Sequence, residues 1–400
     1  MANLDDAVRQ HLLERGGALQ RDEVLRGQGL AQAAQAGTAS VLAERLLLLV
    51  GWGLVSANTA QWLAAGALED GPVHKDVEAM ASWGAEGKYA GNCRRDMMRR
   101  FCCRLVVPPP MYVAVPLKTK ALAEVAGTQA VLNPLEVMQS IYTNYPGEFK
   151  RLFVPTSPRS FWAQVLPDDP RLTLYRDDMD RIPGWRDRAI PFLLHGGGAQ
   201  FVTKTANSLM CGQWKSMLAE NFSDSIFPLC AVPKDVAVKK YNAHQSTMDI
   251  IWTEIVHLFN AGYKGRHPDV DSTGRPWARH TRRHELAGTA FLDGDYFLVF
   301  WGGLGDLEWL SNHWRLPHFN SLEPCWYCAA SRREGTQYPI TSVGPDSAWR
   351  ETIMPYSMGC AIRPSDHPVL DLFGATRYHF PGDYMHTHDL GILTFFWGLC

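Results

Sequence analysis

The sequence predicts a helical N-terminal region followed by a mixed α/β layer domain. Residues 1–105 carry apolar side chains mainly at helical spacing. From residue 188 onward, short apolar runs typical of strands come first, then one long amphipathic segment, then a strand that ends at an acid. That order favours a mixed sheet with helices packed on it.

Three segments of the N-terminal region have helical periodicity, at 7–13, 41–46 and 77–83. The uncharged stretch 46–68 is long enough to cross a bilayer, but polar residues and glycines interrupt its middle. Ser56 is a suitable helix cap, which predicts two short buried helices joined by a turn. We therefore expect no membrane segment.

Three consecutive prolines at 108–110 predict the end of this region. The sequence is accordingly divided into an α-helical domain at 1–107, a mixed connecting region at 111–187 and a core at 188–400. The connecting region contains an apolar run at 111–115 and a helical pattern near 134–141.

The elements predicted for the core are strands at 189–194, 200–204, 226–232 and 296–301, and helices at 247–259 and 307–314. The sequence His195-Gly-Gly-Gly198 follows the first strand and is similar to the oxyanion loop of lipase-type hydrolases. That chemistry also needs a Gly-x-Ser-x-Gly nucleophile turn, which does not occur. The glycines are therefore predicted to form a tight turn.

Composition places the chain among ordinary globular proteins. Its formal net charge is −2, so any nucleic-acid contact has to come from local basic patches. Each patch is either a nucleic-acid surface or a solvated face. The first patch consists of Lys88, Arg94, Arg95, Arg99, Arg100 and Arg104, and the second of Lys264, Arg266, Arg275, Arg279, Arg282 and Arg283 around Trp277.

The cysteines favour an intracellular protein with reduced thiols. There are nine, an odd number, and the chain does not begin with a secretory signal. Only Cys325 and Cys328 have metal-ligand spacing, and a Cys-x-x-Cys pair is half of a tetrahedral zinc site. A redox pair or two buried thiols are the alternatives. The histidines that could complete a zinc site are His313, His318, His379, His386 and His388.

Two acids stand where a divalent metal site would need them. Asp306 follows a predicted strand, and Asp383 begins an Asp-x-x-His group. Two-metal phosphoryl transfer uses carboxylates from separate elements around cations about 4 Å apart. A Gly-Asp pair such as Gly305-Asp306 is also a common turn.

The order of these motifs resembles the catalytic core of CACTA-like cut-and-paste DNA transposases. It is most similar to a group of transposase-derived proteins expanded in dinoflagellates. The matching pieces are Trp52–Ser56, Asn92–Asp96, Pro191–Gly196, Gly305-Asp306, Glu323–Cys328 and Asp383–His386. The resemblance implies an RNase H-like mixed-sheet core with three metal-binding acids and a zinc-knuckle insertion between the second and third.

Under the resemblance, Asp306 is the second acid and Asp383 the third, with Asp389 as a rival for the third. Cys325, Cys328 and His386 match the zinc-linked positions, and His318 is a further candidate ligand. The first acid belongs to a His-Gly-Asp-Gly type turn, where this chain has Gly197. The copy also ends soon after the third motif, at Cys400.

The expected function is that of a transposase-derived DNA-binding protein that lacks strand cleavage, because Gly197 replaces the first acid. The alternatives are a non-enzymatic zinc-stabilised DNA-binding or interaction protein and, more remotely, an active Mg²⁺-dependent transposase or nuclease. Structural zinc is expected, with Mg²⁺ only if the protein is active. DNA is the expected partner, with a nuclear location and a homo-oligomer as further expectations. The expected DNA-contacting residues are Lys264, Arg275, Arg279, Arg282 and Arg283.

Overall fold

A computed structural model of the chain describes most of its length. The described residues are 40–51, 55–82, 108–119, 121, 123–200, 208–219, 225–239, 246–318, 320–342, 344–353 and 364–381. The chain forms two compact units, one of 1–107 with 143–148 and one of 108–142 with 149–400. The division after residue 107 coincides with the three prolines.

Three helices of the first unit are described: α1 (Val41–Gly51), α2 (Ala57–Glu69) and α3 (Lys75–Ala81). Ser56 caps α2 by accepting a hydrogen bond from the Thr59 N–H, which confirms the predicted break within the apolar stretch. No helix in the described ranges is long and apolar enough to cross a membrane. The predicted helix at 7–13 lies outside those ranges.

The second unit begins with an antiparallel hairpin of β1 (Met111–Lys118) and β2 (Glu124–Val131). Five helices follow, which are α4 (Pro134–Asn144), α5 (Pro146–Phe153), α6 (Pro158–Trp162), α7 (Arg176–Met179) and α8 (Trp185–Arg188). A 3₁₀ turn at Pro170–Leu172 separates α6 from α7. The predicted apolar run at 111–115 and the predicted helix near 134 are thus a strand and a helix.

The remaining elements form a mixed four-stranded sheet with its helices. They are β3 (Ala189–Gln200), β4 (Ser208–Ser216), β5 (Phe227–Pro233), α9 (Thr247–Tyr263), α10 (Arg282–Leu286), β6 (Phe297–Leu304) and α11 (Leu307–Asn312), followed by 3₁₀ turns at Ala348–Thr352, Pro368–Asp371 and Arg377–His379. The strand order is β5-β4-β3-β6. β3, β4 and β5 are antiparallel neighbours, whereas β6 is parallel to β3. The predicted mixed α/β class is confirmed.

β6 is buried along nearly its whole length, as expected for a parallel strand covered on both faces. Leu298 and Phe300 belong to the large core cluster that α9 also enters. Phe297, Val299 and Trp301 belong to a second, tryptophan-rich cluster on the other face. The continuous apolar run in the sequence therefore reflects two cores built on one strand.

α9 is the longest described helix and packs on the sheet through a broad apolar face. Its start is fixed by a capping box, in which Ser246 and Asp249 each accept a backbone N–H from the other. The Phe259 ring stacks on Phe192 of β3 with the ring centroids 4.3 Å apart. These local signals explain why the helix could be predicted from the sequence.

The predicted tight turn at 195–198 is wrong, because β3 continues through it to Gln200 and pairs with β4. Gly196 explains the difference. A Cβ atom on this residue would lie 1.8 Å from Nε1 of Trp309, so the indole packs directly against the strand backbone. Glycine is required there for a close approach and not for a turn.

We therefore expect Gly196→Ala to lower the free energy of unfolding by about 1–3 kcal/mol, the usual cost of overpacking a core. Gly198→Ala is the matched control, because a Cβ there meets nothing within 4 Å. That control should change stability by no more than about 0.5 kcal/mol. Urea unfolding of both variants measures the difference, and equal effects would contradict the packing explanation.

Candidate functional site

The candidate site lies at the carboxyl ends of β3 and β6. These parallel strands are paired as far as His195 and Leu304. Just beyond them, the Gly196 carbonyl oxygen lies 2.9 Å from the place that a Cβ would take on Gly305. Continuing this register by one residue places Gly197 beside Asp306.

Asp306 has a structural role at this point. It is exposed and is the N-cap of α11, where its side chain accepts a hydrogen bond from the Trp309 N–H at 2.5 Å. Capping uses one oxygen of the carboxylate, and the second oxygen can still accept other bonds. The cap therefore fixes the carboxylate at the sheet edge without excluding it as a metal ligand.

Position 197 has room for a side chain. A Cβ on Gly197 would meet only the His195 ring, with 3.2 Å to its Cε1. The backbone of Gly197 is not in the left-handed region, so a side chain brings no backbone strain. An aspartate at 197 would stand next to Asp306, where the resemblance expects the first acid.

Two histidines lie near Asp306. Burial lowers the pKa of His195, while its hydrogen bond with Gln213 and the charge of Asp306 oppose that shift. Burial also lowers the pKa of His313, and the charge of Lys234 adds to that effect. The His313 ring stacks on Trp309 with the ring centroids 4.2 Å apart. Both imidazoles are therefore neutral at pH 7, and the fixed charges of the site come from carboxylates and lysine.

Sequence reasoning missed His195 and Gln213 as parts of the site. Their side chains meet because these two residues are directly opposite each other in the pairing of β3 with β4. Register between strands depends on contacts that are distant in sequence, so no local pattern could have indicated this pair. Lys234 was missed for the same reason.

The Cys-x-x-Cys segment forms a compact thiol pair. The Tyr327 N–H donates to the Cys325 sulfur at 3.3 Å. Burial raises the pKa of the Cys328 thiol to about 11, and the neighbouring Cys325 adds to this rise. Without a metal, both sulfurs are therefore protonated near neutral pH, whereas a bound Zn²⁺ would deprotonate them.

This cysteine segment is attached to the end of β6 through Phe380. The Trp326 indole and the Tyr327 hydroxyl both donate to the Phe380 carbonyl, at 3.1 and 2.7 Å. The Arg377 guanidinium donates in turn to the Trp326 carbonyl. The Phe380 ring packs where a Cβ on Gly303 of β6 would be, 2.7 Å away. The cysteine segment and the acid-bearing strand thus share one anchor.

The third predicted motif follows that anchor closely in the chain. Asp383, His386 and Asp389 lie outside the described residues. Asp383 is three residues after Phe380, and a chain spans at most about 3.6 Å per residue. Its Cα therefore lies within about 11 Å of that of Phe380.

His318 is not brought to the cysteines as a ligand. Its Nδ1 accepts the Asn320 N–H at 3.0 Å. Across the described ranges, no three side chains of His, Cys, Asp or Glu form a group that could hold a metal ion. Any complete zinc or magnesium site would need residues from 382–400.

The second basic patch is described, whereas the first, at 88–104, lies outside the described ranges. Four of the five cations that were predicted to contact DNA are exposed, which are Lys264, Arg275, Arg279 and Arg282. Arg283 is half-buried, and its guanidinium pairs with the buried Glu136 of α4.

A buried histidine beside the site predicts a pH dependence of stability. His379 is fully buried against Phe300, and burial together with the charge of Arg171 lowers its pKa to about 3. In the unfolded chain its pKa is about 6.5. As the pH falls below 6.5, the unfolded state therefore takes up a proton that the folded state refuses, and stability decreases.

We expect this histidine to add a slope of up to about 1.4 kcal/mol per pH unit between pH 6.5 and pH 4. His379→Asn should remove that contribution, whereas His267, with a pKa of about 4, keeps its own in both proteins. Urea unfolding at a series of pH values measures the slopes. Parallel curves for the two proteins would contradict the assignment.

The chain matches no family model, no curated protein and no solved structure. The functional argument therefore depends on the residues and the geometry given above.

Proposed function

We propose that this chain is a transposase-derived DNA-binding protein with an RNase H-like core that lacks strand-cleaving activity. The observation that carries the proposal is the pairing of β3 with β6, which places Gly197 and Asp306 side by side at one sheet edge. The first of two adjacent acid positions is thus a glycine. The ancestry comes from the motif order, and the loss of activity from this one position.

The arrangement of the sheet supports the RNase H-like assignment. Three antiparallel strands come first, then the long helix α9, then β6 parallel to the first strand. The two acid positions of the resemblance fall on the two strands that this order makes neighbours. A fold in which β3 and β6 were separated would have removed the argument.

The chemistry explains why one glycine is enough. Mg²⁺ prefers oxygen ligands in nearly octahedral geometry and is usually held by carboxylates together with water and substrate phosphate. Two such ions carry four positive charges, and Asp306 with Asp383 would supply two negative ones. Without an acid at 197, no carboxylate bridges the ions in line with a phosphodiester.

Zinc is proposed as a structural ion. Cys325 and Cys328 supply two sulfurs on a segment held in place by hydrogen bonds to Phe380. His386 is six residues after Phe380, so the chain is long enough to bring its imidazole back to the sulfurs. The fourth ligand would also come from outside the described residues.

A non-enzymatic interaction protein is the second candidate, and the docked cysteine segment favours it equally. The two functions differ in whether duplex DNA binds. The exposed Lys264, Arg275 and Arg279 favour DNA, because the patch is positive in a chain whose net charge is −2.

We expect the purified protein to bind duplex DNA and to make no Mg²⁺- or Mn²⁺-dependent cut in it. Gly197→Asp should create a divalent site, with Mn²⁺ binding at least about tenfold tighter than in the unchanged protein, because a second carboxylate joins Asp306. Electron paramagnetic resonance of free Mn²⁺ measures this affinity.

Gly198→Asp is the matched control for the new charge, since its neighbour on β3 also has space for a side chain. Equal Mn²⁺ binding by the two variants would remove the proposed acid position. Nicking by the unchanged protein that disappears in Asp306→Ala would instead show that activity survives.

Zinc content gives a separate expectation. The protein purified without chelator should contain about one Zn²⁺ per chain, the stoichiometry of one four-ligand site. Cys325→Ser should lose it and unfold at lower temperature. Cys211→Ser is the control, because this half-exposed cysteine lies in β4 away from the pair. Equal zinc content in all three proteins, measured by mass spectrometry, would contradict the zinc site.

A further inference from the structure

A buried carboxylate lies beneath the basic patch. Glu136 of α4 is 1% exposed, and its Oε1 accepts a hydrogen bond from Asn133 at 3.0 Å. Its Oε2 has no hydrogen-bond partner and faces a small cavity that His267 and Trp277 also line. A buried ionised group of this kind needs a nearby positive charge.

Two adjacent arginines supply that charge, and they are held to different degrees. The Arg283 Nε lies 2.9 Å from Oε1, and this side chain is 22% exposed. The Arg282 Nε lies 3.8 Å from Oε2, and this side chain is 51% exposed. The first contact is a close, largely shielded pair, whereas the second is long and open to water.

The difference decides which arginine can leave. An exposed pair at nearly 4 Å contributes little and is screened by salt. Removing the shielded partner would leave a buried carboxylate uncompensated, which is strongly destabilising. Arg282 can therefore be taken by another anion at small cost, and Arg283 cannot.

The surroundings attract an anion of high charge density. Residues 264–286 contain six lysines and arginines and three acids (Asp269, Asp271 and Glu285), which gives a local net charge of +3. His267 adds no charge at pH 7, because burial and the charge of Arg282 lower its pKa to about 4. Arg275 lies near Asp271, whose pKa it helps to lower. Lys264 and Arg279 are exposed beside them.

We infer that Glu136 acts as an internal substitute for a DNA phosphate. In the free protein it holds both arginines. When duplex DNA binds, a backbone phosphate takes Arg282, while Arg283 stays on Glu136 and keeps the segment on the core. The inference rests on the proposed DNA-binding function and assigns different roles to two neighbouring arginines.

The test is the affinity for a duplex of about 30 base pairs over a range of salt concentrations. Glu136→Gln should tighten binding by about two- to fivefold, since it frees Arg282 from a weak pair. Arg282→Gln should weaken binding and reduce the salt slope by about one. In the Arg282→Gln background, Glu136→Gln should have no effect, whereas in the Arg279→Gln background it should keep its full effect.

A second measurement uses the unchanged protein and so does not depend on how well the variants fold. In ¹⁵N spectra of the arginine Nε–H groups, added DNA should shift the Arg282 signal and leave the Arg283 signal in place. Arg283→Gln should lower the melting temperature more than Arg282→Gln does.

The outcomes separate the two proposals. DNA binding that is insensitive to Glu136→Gln and Arg282→Gln overturns the exchange of partners but leaves DNA binding standing. Movement of both arginine signals, or an equal gain from Glu136→Gln in the Arg282→Gln background, also overturns it. Absence of duplex binding by the unchanged protein overturns both.

Discussion

The burial of β6 on both faces is the constraint on which the C-terminal unit depends. Five large apolar side chains of this strand enter two separate clusters. At about 2 kcal/mol for each buried side chain, they contribute roughly 10 kcal/mol, similar to the whole net stability of a domain. The pairing of β6 with β3 is therefore not easily altered, and residues at the ends of these strands inherit a fixed geometry even if they no longer perform chemistry.

The parts of the fold that could be predicted are those with local signals. α9 announces itself by its periodicity and its capping box, and the break between α1 and α2 by Ser56. The glycine triplet at 196–198 was predicted as a turn because local preference favours one. Its extended conformation results from pairing with β4 and from the Trp309 indole, which is more than a hundred residues away in the chain.

The candidate site shows the same limit. Asp306 and the cysteine pair could be found from spacing, but not the anchor that joins them, because Phe380 is distant from both in sequence. The five cations of the basic patch look alike in the sequence. The buried Glu136 distinguishes them, since only a folded chain brings α4 under that segment. Spacing thus identified the chemical groups, and tertiary packing assigned their partners.

The open space at position 197 has an evolutionary consequence under the proposed ancestry. Glycine codons ending in a pyrimidine become aspartate codons by a single base substitution. The neighbouring Gly196 could not tolerate such a change, because Trp309 fills the space beside it, whereas a side chain at 197 meets only one movable histidine ring. The carboxylate could thus return without any compensating substitution elsewhere, so the lineage would be one mutation away from regaining that ligand.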